Sequence, residues 1–207
     1  MKVLLVNGSP HKNGCTYTAL CEVAKTLNEE GIDTEIFWVG TKPIAGCIGC
    51  YTCFKSGKCV FDDVVNEFVE KAREADGFIF GSPVHYAGAS SALTSFMDRA
   101  FYSGKGAFRY KPASAIVSAR RAGTTATYDQ LNKYFGISEM PIVSSRYWNM
   151  VHGSSPEDVL KDEEGMQTMR ILGRNMAFLL KCIECGKANG VEMPKQEEKI
   201  TFTNFIR

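Results

Sequence analysis

The chain has 207 residues, 44% apolar and 23% charged, with 24 Lys and Arg against 23 Asp and Glu and a formal net charge of +1. That is an ordinary globular mix, large enough to bury its own core, and the balanced charge argues against a basic field for nucleic acid and against a strongly acidic shuttle surface. No apolar run approaches the roughly 20 residues of a membrane span, and the chain opens on a core strand that leaves no room for a signal peptide, so the expectation is a cytoplasmic protein with neither nucleic acid nor membrane as partner.

Met1 to Thr18 reads MKVLLVNGSPHKNGCTYT. The apolar run Val3 to Val6 stops at Asn7-Gly8-Ser9-Pro10, and Asn13-Gly14 opens a helical pattern near Cys15. A strand, a glycine-bearing loop and a helix N-terminus form a phosphate-holding geometry, because backbone N–H groups and the positive helix end converge there. Ser9, Thr16 and Thr18 add hydroxyls, and His11 and Lys12 add positive charge. Neither GxGxxG nor GxxxxGK[ST] is present, which weakens a dinucleotide fold and a triphosphate site. A monophosphate site is expected, with a plain strand-to-helix turn as the alternative.

The first helix runs from about Cys15 to Glu30 and a second strand covers Asp33 to Val39. Gly40 to Val60 is a long, cysteine-rich segment without a sustained period, and a loop of that length in a compact α/β domain is usually functional. Asp62 or Asp63 caps a helix whose Val65, Phe68, Val69 and Ala72 share one face. Gly77 to Gly81 is a buried-type strand, followed by Ser82 to Gly88 and a helix carrying Leu93, Phe96, Met97 and Ala100. Pro112 to Ser118 is a fourth strand, Thr124 or Thr125 starts another helix, and Pro141-Ile142-Val143 is a short fifth strand. Arg146 to Gly153 is aromatic- and amide-rich. From about Pro156 to Gly186 one long helix is expected, with Met166, Met169, Leu172, Met176, Leu179 and Ile183 in a stripe that faces the sheet or, in part, a subunit contact. Ile200 to Ile206 reads as an extended arm.

Strands alternating with helical patterns mean a βαβ sheet covered on both faces. The loops Gly8 to Thr16, Ser82 to Gly88 and Ser118 to Gly123 all follow strand C-termini, so they can meet around one ligand. One domain spanning 1–207 is expected, with an insertion at 40–60 and a C-terminal loop, helix and tail at 146–207 packed on the core or on a partner subunit.

Four of the eight cysteines fall within GCIGCYTCFKSGKC: Cys47, Cys50, Cys53 and Cys59. Three thiols spaced three residues apart, with a fourth returning through Gly57, suit an iron–sulfur cluster, particularly [4Fe–4S]. Metal-free thiols beside a cofactor, a zinc site and a disulfide or thiol relay remain as other readings. Cys182 and Cys185 sit in the tail of an amphipathic helix, and Cys21 reads as helix packing.

The stretches GSPHKNGCT, GCIGCYTC with Cys59, DGFIFGSPVHY and SARRAG resemble the flavodoxin-like NAD(P)H-dependent FMN reductases, in particular the iron–sulfur flavoproteins of anaerobic microbes. The resemblance covers roughly Met1 to Gly153. It implies a three-layer flavodoxin-like sandwich with a five-stranded parallel sheet, order 2-1-3-4-5, and FMN across the strand ends. Ser9, His11, Cys15 and Thr16, with Lys12 and Thr18 nearby, would then surround the FMN phosphate. Pro83, Val84, His85 and Tyr86 would border the ribityl chain and ring, and Ser118, Ala119, Arg120, Arg121 and Gly123 the far side of the isoalloxazine. His11 stands where the family often has arginine, and Cys15 where asparagine is frequent. The cluster-bearing relatives share the spacing of Cys47, Cys50, Cys53 and Cys59.

An enzyme is therefore expected that uses NAD(P)H as transient cosubstrate and reduces a quinone, flavin or similar acceptor through flavin-centred chemistry without an acid–base triad. His152, beside Trp148, is a candidate border of the substrate side. The rivals are an electron-transfer or redox-sensing flavoprotein served by a ferredoxin-like donor, and a flavin-free scaffold. A homodimer or tetramer is expected, using Arg146 to Gly153 and the methionine-rich helix.

Overall fold

The computed structural model describes residues 1–203 and 205. Strands β1 (Lys2–Asn7), β2 (Asp33–Trp38), β3 (Gly77–His85), β4 (Gly88–Ala89), β5 (Ala113–Ala119) and β6 (Met150–His152) alternate with helices α1 (Cys15–Glu29), α2 (Cys53–Ser56), α3 (Val64–Glu74), α4 (Ser91–Gly104), α5 (Thr124–Ile137), α6 (Pro156–Lys161) and α7 (Glu163–Ala188). The sheet order is β2-β1-β3-β5-β6, and those pairs are parallel; β4 is a two-residue antiparallel partner of β3. Setting β4 aside, the five parallel strands take the 2-1-3-4-5 order that the resemblance implies, with a different segment as the fifth. Among the described residues no helix is long and apolar enough to cross a membrane.

Successive side chains on a strand point to opposite faces, and β1 shows what that does. Leu4 and Val6 join Phe78, Phe80, Ala115 and Val117 beneath α3, α4 and α5, where Phe68, Phe96 and Phe135 are fully buried. Val3 and Leu5 join Ile79, Ile116 and Val151 beneath α1, α6 and α7. Both faces of the central strands are covered, so these strands read as continuous apolar runs.

Four residues of the expected methionine stripe are core, and its Leu179 and Ile183 are half-buried. Met166, Met169, Leu172 and Met176 are buried against the sheet and α1. Where α7 crosses α1, a Cβ on Gly173 would lie 2.8 Å from Thr26 Cβ, so glycine permits the close approach. The single long helix expected from Pro156 is two. Asp162 turns the chain between them: its carboxylate accepts from Gly165 N at 2.9 Å, capping α7, and from His152 N at 2.7 Å.

The expected fifth strand at Pro141 to Val143 is displaced. Ile142 makes only an isolated bridge to Ala113, and the fifth sheet strand is β6, inside the stretch read as a loop. Asn149 is the reason. Its buried side chain donates from Nδ2 to Ala115 O at 3.0 Å and to Ser114 Oγ at 2.8 Å, occupying the edge of β5 until Met150 rejoins it. The cysteine-rich segment carries one short helix, α2. Residues 191–199 are exposed and lack regular structure, as do 200–203 and 205 of the expected arm; Ile206 lies outside the described residues.

Candidate functional site

The first loop is held by the last residue of β1. Asn7 is fully buried; its Oδ1 accepts from Ser9 N at 3.0 Å and its Nδ2 donates to Lys12 O at 3.0 Å. Ser9 Oγ accepts from His11 N at 3.1 Å, and Trp38 Nε1, at the end of β2, donates to Ser9 O at 2.8 Å. The loop then enters α1 at Gly14, where no side chain caps the helix. The unpaired N–H groups of that first turn are a ready anion site. Lys12 Nζ lies 5.6 Å from the Trp38 ring centre, and His11 and Lys12 are exposed.

The groove here, about 540 Å³, is lined by Pro10 to Cys15 and, on its other side, by Ser154, Ser155 and Pro156. Its chemistry fits a phosphate: an uncapped helix N-terminus, a lysine and a histidine around an open cradle. Two hydroxyls are committed elsewhere. Thr18 Oγ1 donates back to Gly14 O at 3.2 Å, and Thr16 Oγ1 lies 2.8 Å from Ser118 Oγ. Cys15 Sγ contacts Gly153 O at 3.7 Å; burial pushes its thiol up, and the Asp158 and Glu157 carboxylates push the same way.

Three strand-end loops meet in this region. Ser90 Oγ, at the start of α4, donates to Gly8 O at 2.7 Å, tying the first loop to the second. Thr16 and Ser118 tie the first to the third. Gly123, at φ +89°, sits so close to the second loop that a Cβ would lie 2.8 Å from both Ala87 Cα and Val84 Cγ1. Pro83 and Val84 are half-buried and Ala119 is buried, whereas His85, Arg120 and Arg121 are exposed.

β3 runs on to His85 and folds back as a hairpin pairing His85 with Gly88. Tyr86 and Ala87 occupy its turn at φ +50° and +60°, the positive φ that a two-residue type I′ turn demands at both positions. Asn and Gly suit those positions; Tyr and Ala are strained there, and strain of this kind clusters at ligand-binding loops. Tyr86 stands fully exposed above the strand ends. His152 Nδ1 lies 3.7 Å from Asp162 Oδ2, next to Tyr147 and Trp148 around a small cavity of about 60 Å³.

The four clustered cysteines line a second cavity of about 220 Å³, together with Ile48, Tyr51, Phe61, Arg99 and Tyr102. Among the described residues, no three His, Cys, Asp or Glu side chains are arranged to hold a metal ion. A four-iron cluster is larger than an ion, and four thiols around one mostly apolar cavity are a donor set that fits it. Burial pushes the Cys53 thiol up, and the other three cysteines add to this as like charges. Hydrogen bonds from Thr52 pull the Cys50 thiol down.

Sequence patterns missed three residues here. Arg99 is 1% exposed on the inward face of α4 and donates from Nε to Cys59 Sγ at 3.2 Å; its only signal was a charge within an apolar stripe. Asn7 and Trp38 read as strand ends, and their bonds to the first loop are not visible in a pattern.

A family model for NADPH-dependent FMN reductases matches residues 1–155. The chain belongs to that family. It is 35% identical over 192 residues to an iron–sulfur flavoprotein of Methanocaldococcus jannaschii, covering 89% of this chain and 100% of the relative. Among solved structures, RosB with bound 8-demethyl-8-formylriboflavin-5′-phosphate has TM-score 0.70 at 15% identity, covering 100% of this chain and 92% of its own. A flavodoxin from the domain Archaea has TM-score 0.61 at 13% identity, covering 87% of this chain and 99% of its own. The fold is flavodoxin-like.

Proposed function

We propose that this chain is an FMN-dependent oxidoreductase that takes hydride from NAD(P)H, or electrons from a reduced carrier, and passes them to a quinone, flavin or similar small acceptor. The observation that carries the reading is the uncapped start of α1, braced by Asn7 and flanked by His11 and Lys12, at the point where three strand-end loops meet. In this reading the first-turn N–H groups and Lys12 hold the phosphate. Val84 to Tyr86 and Ser118 to Gly123 border the ring, and the N–H groups of the latter segment face its carbonyl edge. When bound, FMN supplies hydride acceptance and release of electrons singly or in pairs.

We further assign Cys47, Cys50, Cys53 and Cys59 as ligands of a [4Fe–4S] cluster, supported by their shared cavity and by the name of the relative from M. jannaschii. The test is anaerobic purification with FMN, iron and acid-labile sulfide measured per chain, alongside Cys53→Ser. FMN in both proteins, with about four irons per chain lost only in the variant, is the expected result. Folded protein that takes up no FMN overturns the flavin reading; FMN with free thiols and no iron after reconstitution overturns the cluster.

A second reading, an electron carrier acting on protein partners, draws on the mouth of the cysteine cavity. Ile48, Tyr51, Phe54, Val60 and Tyr102 are exposed there, and Lys105 Nζ lies 3.6 Å from the Phe54 ring centre. An apolar rim carrying positive charge suits a docking partner of opposite charge. Steady-state turnover with NADH or NADPH and a quinone supports the enzyme; reduction by a ferredoxin-like donor alone supports the carrier. A homodimer or tetramer is proposed through the exposed Tyr147, Trp148 and Phe178, and light scattering at micromolar concentration tests it.

A further inference from the structure

Arg99 carries a second role for the cysteine cavity. A guanidinium buried in a helix face otherwise lined by Phe96, Met97 and Ala100 must find partners that offset its desolvation. It finds them in both flanks of the cysteine loop. Nη1 and Nη2 form a fork on Asp63, each bond 2.8 Å, and Asp63 itself caps α3 by accepting from Val65 N at 3.1 Å. Nη1 donates to Ala45 O at 3.3 Å, just before Cys47, and Nη2 to Phe61 O at 3.4 Å, just after Cys59. The Phe61 ring centre lies 4.8 Å from the guanidinium carbon. Nε, the donor left over, goes to Cys59 Sγ.

We propose that Arg99 is the positioning residue of the four-cysteine site: it fastens both ends of the loop to α4 and, by donating Nε–H to the Cys59 sulfur, orients that ligand and raises the reduction potential of a cluster held there. This rests on the cluster reading above. A cluster gains negative charge on reduction, so a cationic donor at a ligand sulfur favours the reduced form. Lysine cannot substitute, because one ammonium cannot span the Asp63 fork and Cys59 together.

The full chain, Arg99→Gln, Arg99→Lys and Asp63→Asn are reconstituted anaerobically with ferrous iron and sulfide, with bound FMN reporting that each has folded. Iron per chain, the midpoint potential of the cluster, and exchange of the hydrogen-bonded amides of residues 54–57 and 59 in the metal-free chain are read. The Arg99 variants are expected to keep FMN, to exchange at 54–57 and 59 at least about tenfold faster, the factor that even one lost charge-assisted hydrogen bond represents, and to lose iron or hold it at a lower potential. Asp63→Asn, which leaves Arg99 in place with a weakened fork, is expected to fall between. Wild-type iron, potential and exchange in both Arg99 variants overturn the proposal. Wild-type protein that holds no iron overturns the cluster reading separately; exchange then decides whether Arg99 anchors the thiol loop.

Discussion

The hydroxyl of Thr16, in the first turn of α1, lies 2.8 Å from the hydroxyl of Ser118, next to the end of β5, and both residues are buried. The pair locks the start of α1 to the end of β5. Removing one partner leaves the other hydroxyl buried and unpaired, which costs about 1–3 kcal/mol. Thr16→Val and Ser118→Ala are each expected to destabilise by that amount in urea unfolding, and the double variant by clearly less than their sum. Additive losses would show that the two hydroxyls are not coupled.

Asn7 braces the first loop without needing to touch a ligand. Asn7→Ala frees Ser9 N and Lys12 O, and is expected to weaken FMN binding by about tenfold to a hundredfold, the value of one or two lost hydrogen bonds. Quenching of flavin fluorescence on titration measures it. An unchanged dissociation constant would remove Asn7 from the site.

Tyr86 and Ala87 hold positive φ angles that suit Asn and Gly. Replacing the pair, Tyr86→Asn with Ala87→Gly, is expected to raise stability by about 1–3 kcal/mol and to weaken flavin binding where Tyr86 had shaped the pocket. Denaturant midpoints and flavin titration on the same protein read both effects. A stability gain without loss of affinity would make the strain incidental.

Glu35 joins β2 to its neighbours: Oε2 meets Lys2 Nζ at 2.5 Å and Oε1 meets Lys71 Nζ at 2.9 Å. Hydrogen bonds from Lys2 and then Lys71 hold its carboxyl below the ordinary value of 4.5. A lowered folded-state value means stabilisation present above pH 4.5 and lost as pH falls through the lowered value. Glu35→Gln is expected to be less stable than wild type at neutral pH and to converge with it in acid. Thermal unfolding across pH 3 to 7 tests this, and a gap that persists at the acid end would contradict it.

The limits of sequence reading follow from the range of the interactions. β1 and the apolar part of β3 were legible because strands buried on both faces are unbroken apolar runs; α3 and α4 were legible because Val65, Phe68, Leu93 and Phe96 repeat at helical spacing. The first strand-end loop and the four cysteines were also local, each a dense sequence of chemically apt residues. β6 was not legible. Three residues carry no period, and their place is set by the Asn149 side chain gripping β5 across 34 and 35 positions of chain. The break at Asp162 depends on its carboxylate meeting the His152 backbone ten residues earlier. Arg99 reaches Ala45 from 54 residues away. The 3.6- and 2-residue periods record which face of an element is buried and nothing of which polar groups meet there. Those meetings close chain loops of ten to a hundred residues, so only the folded packing of α4 against the cysteine loop, and of β6 against β5, could decide them.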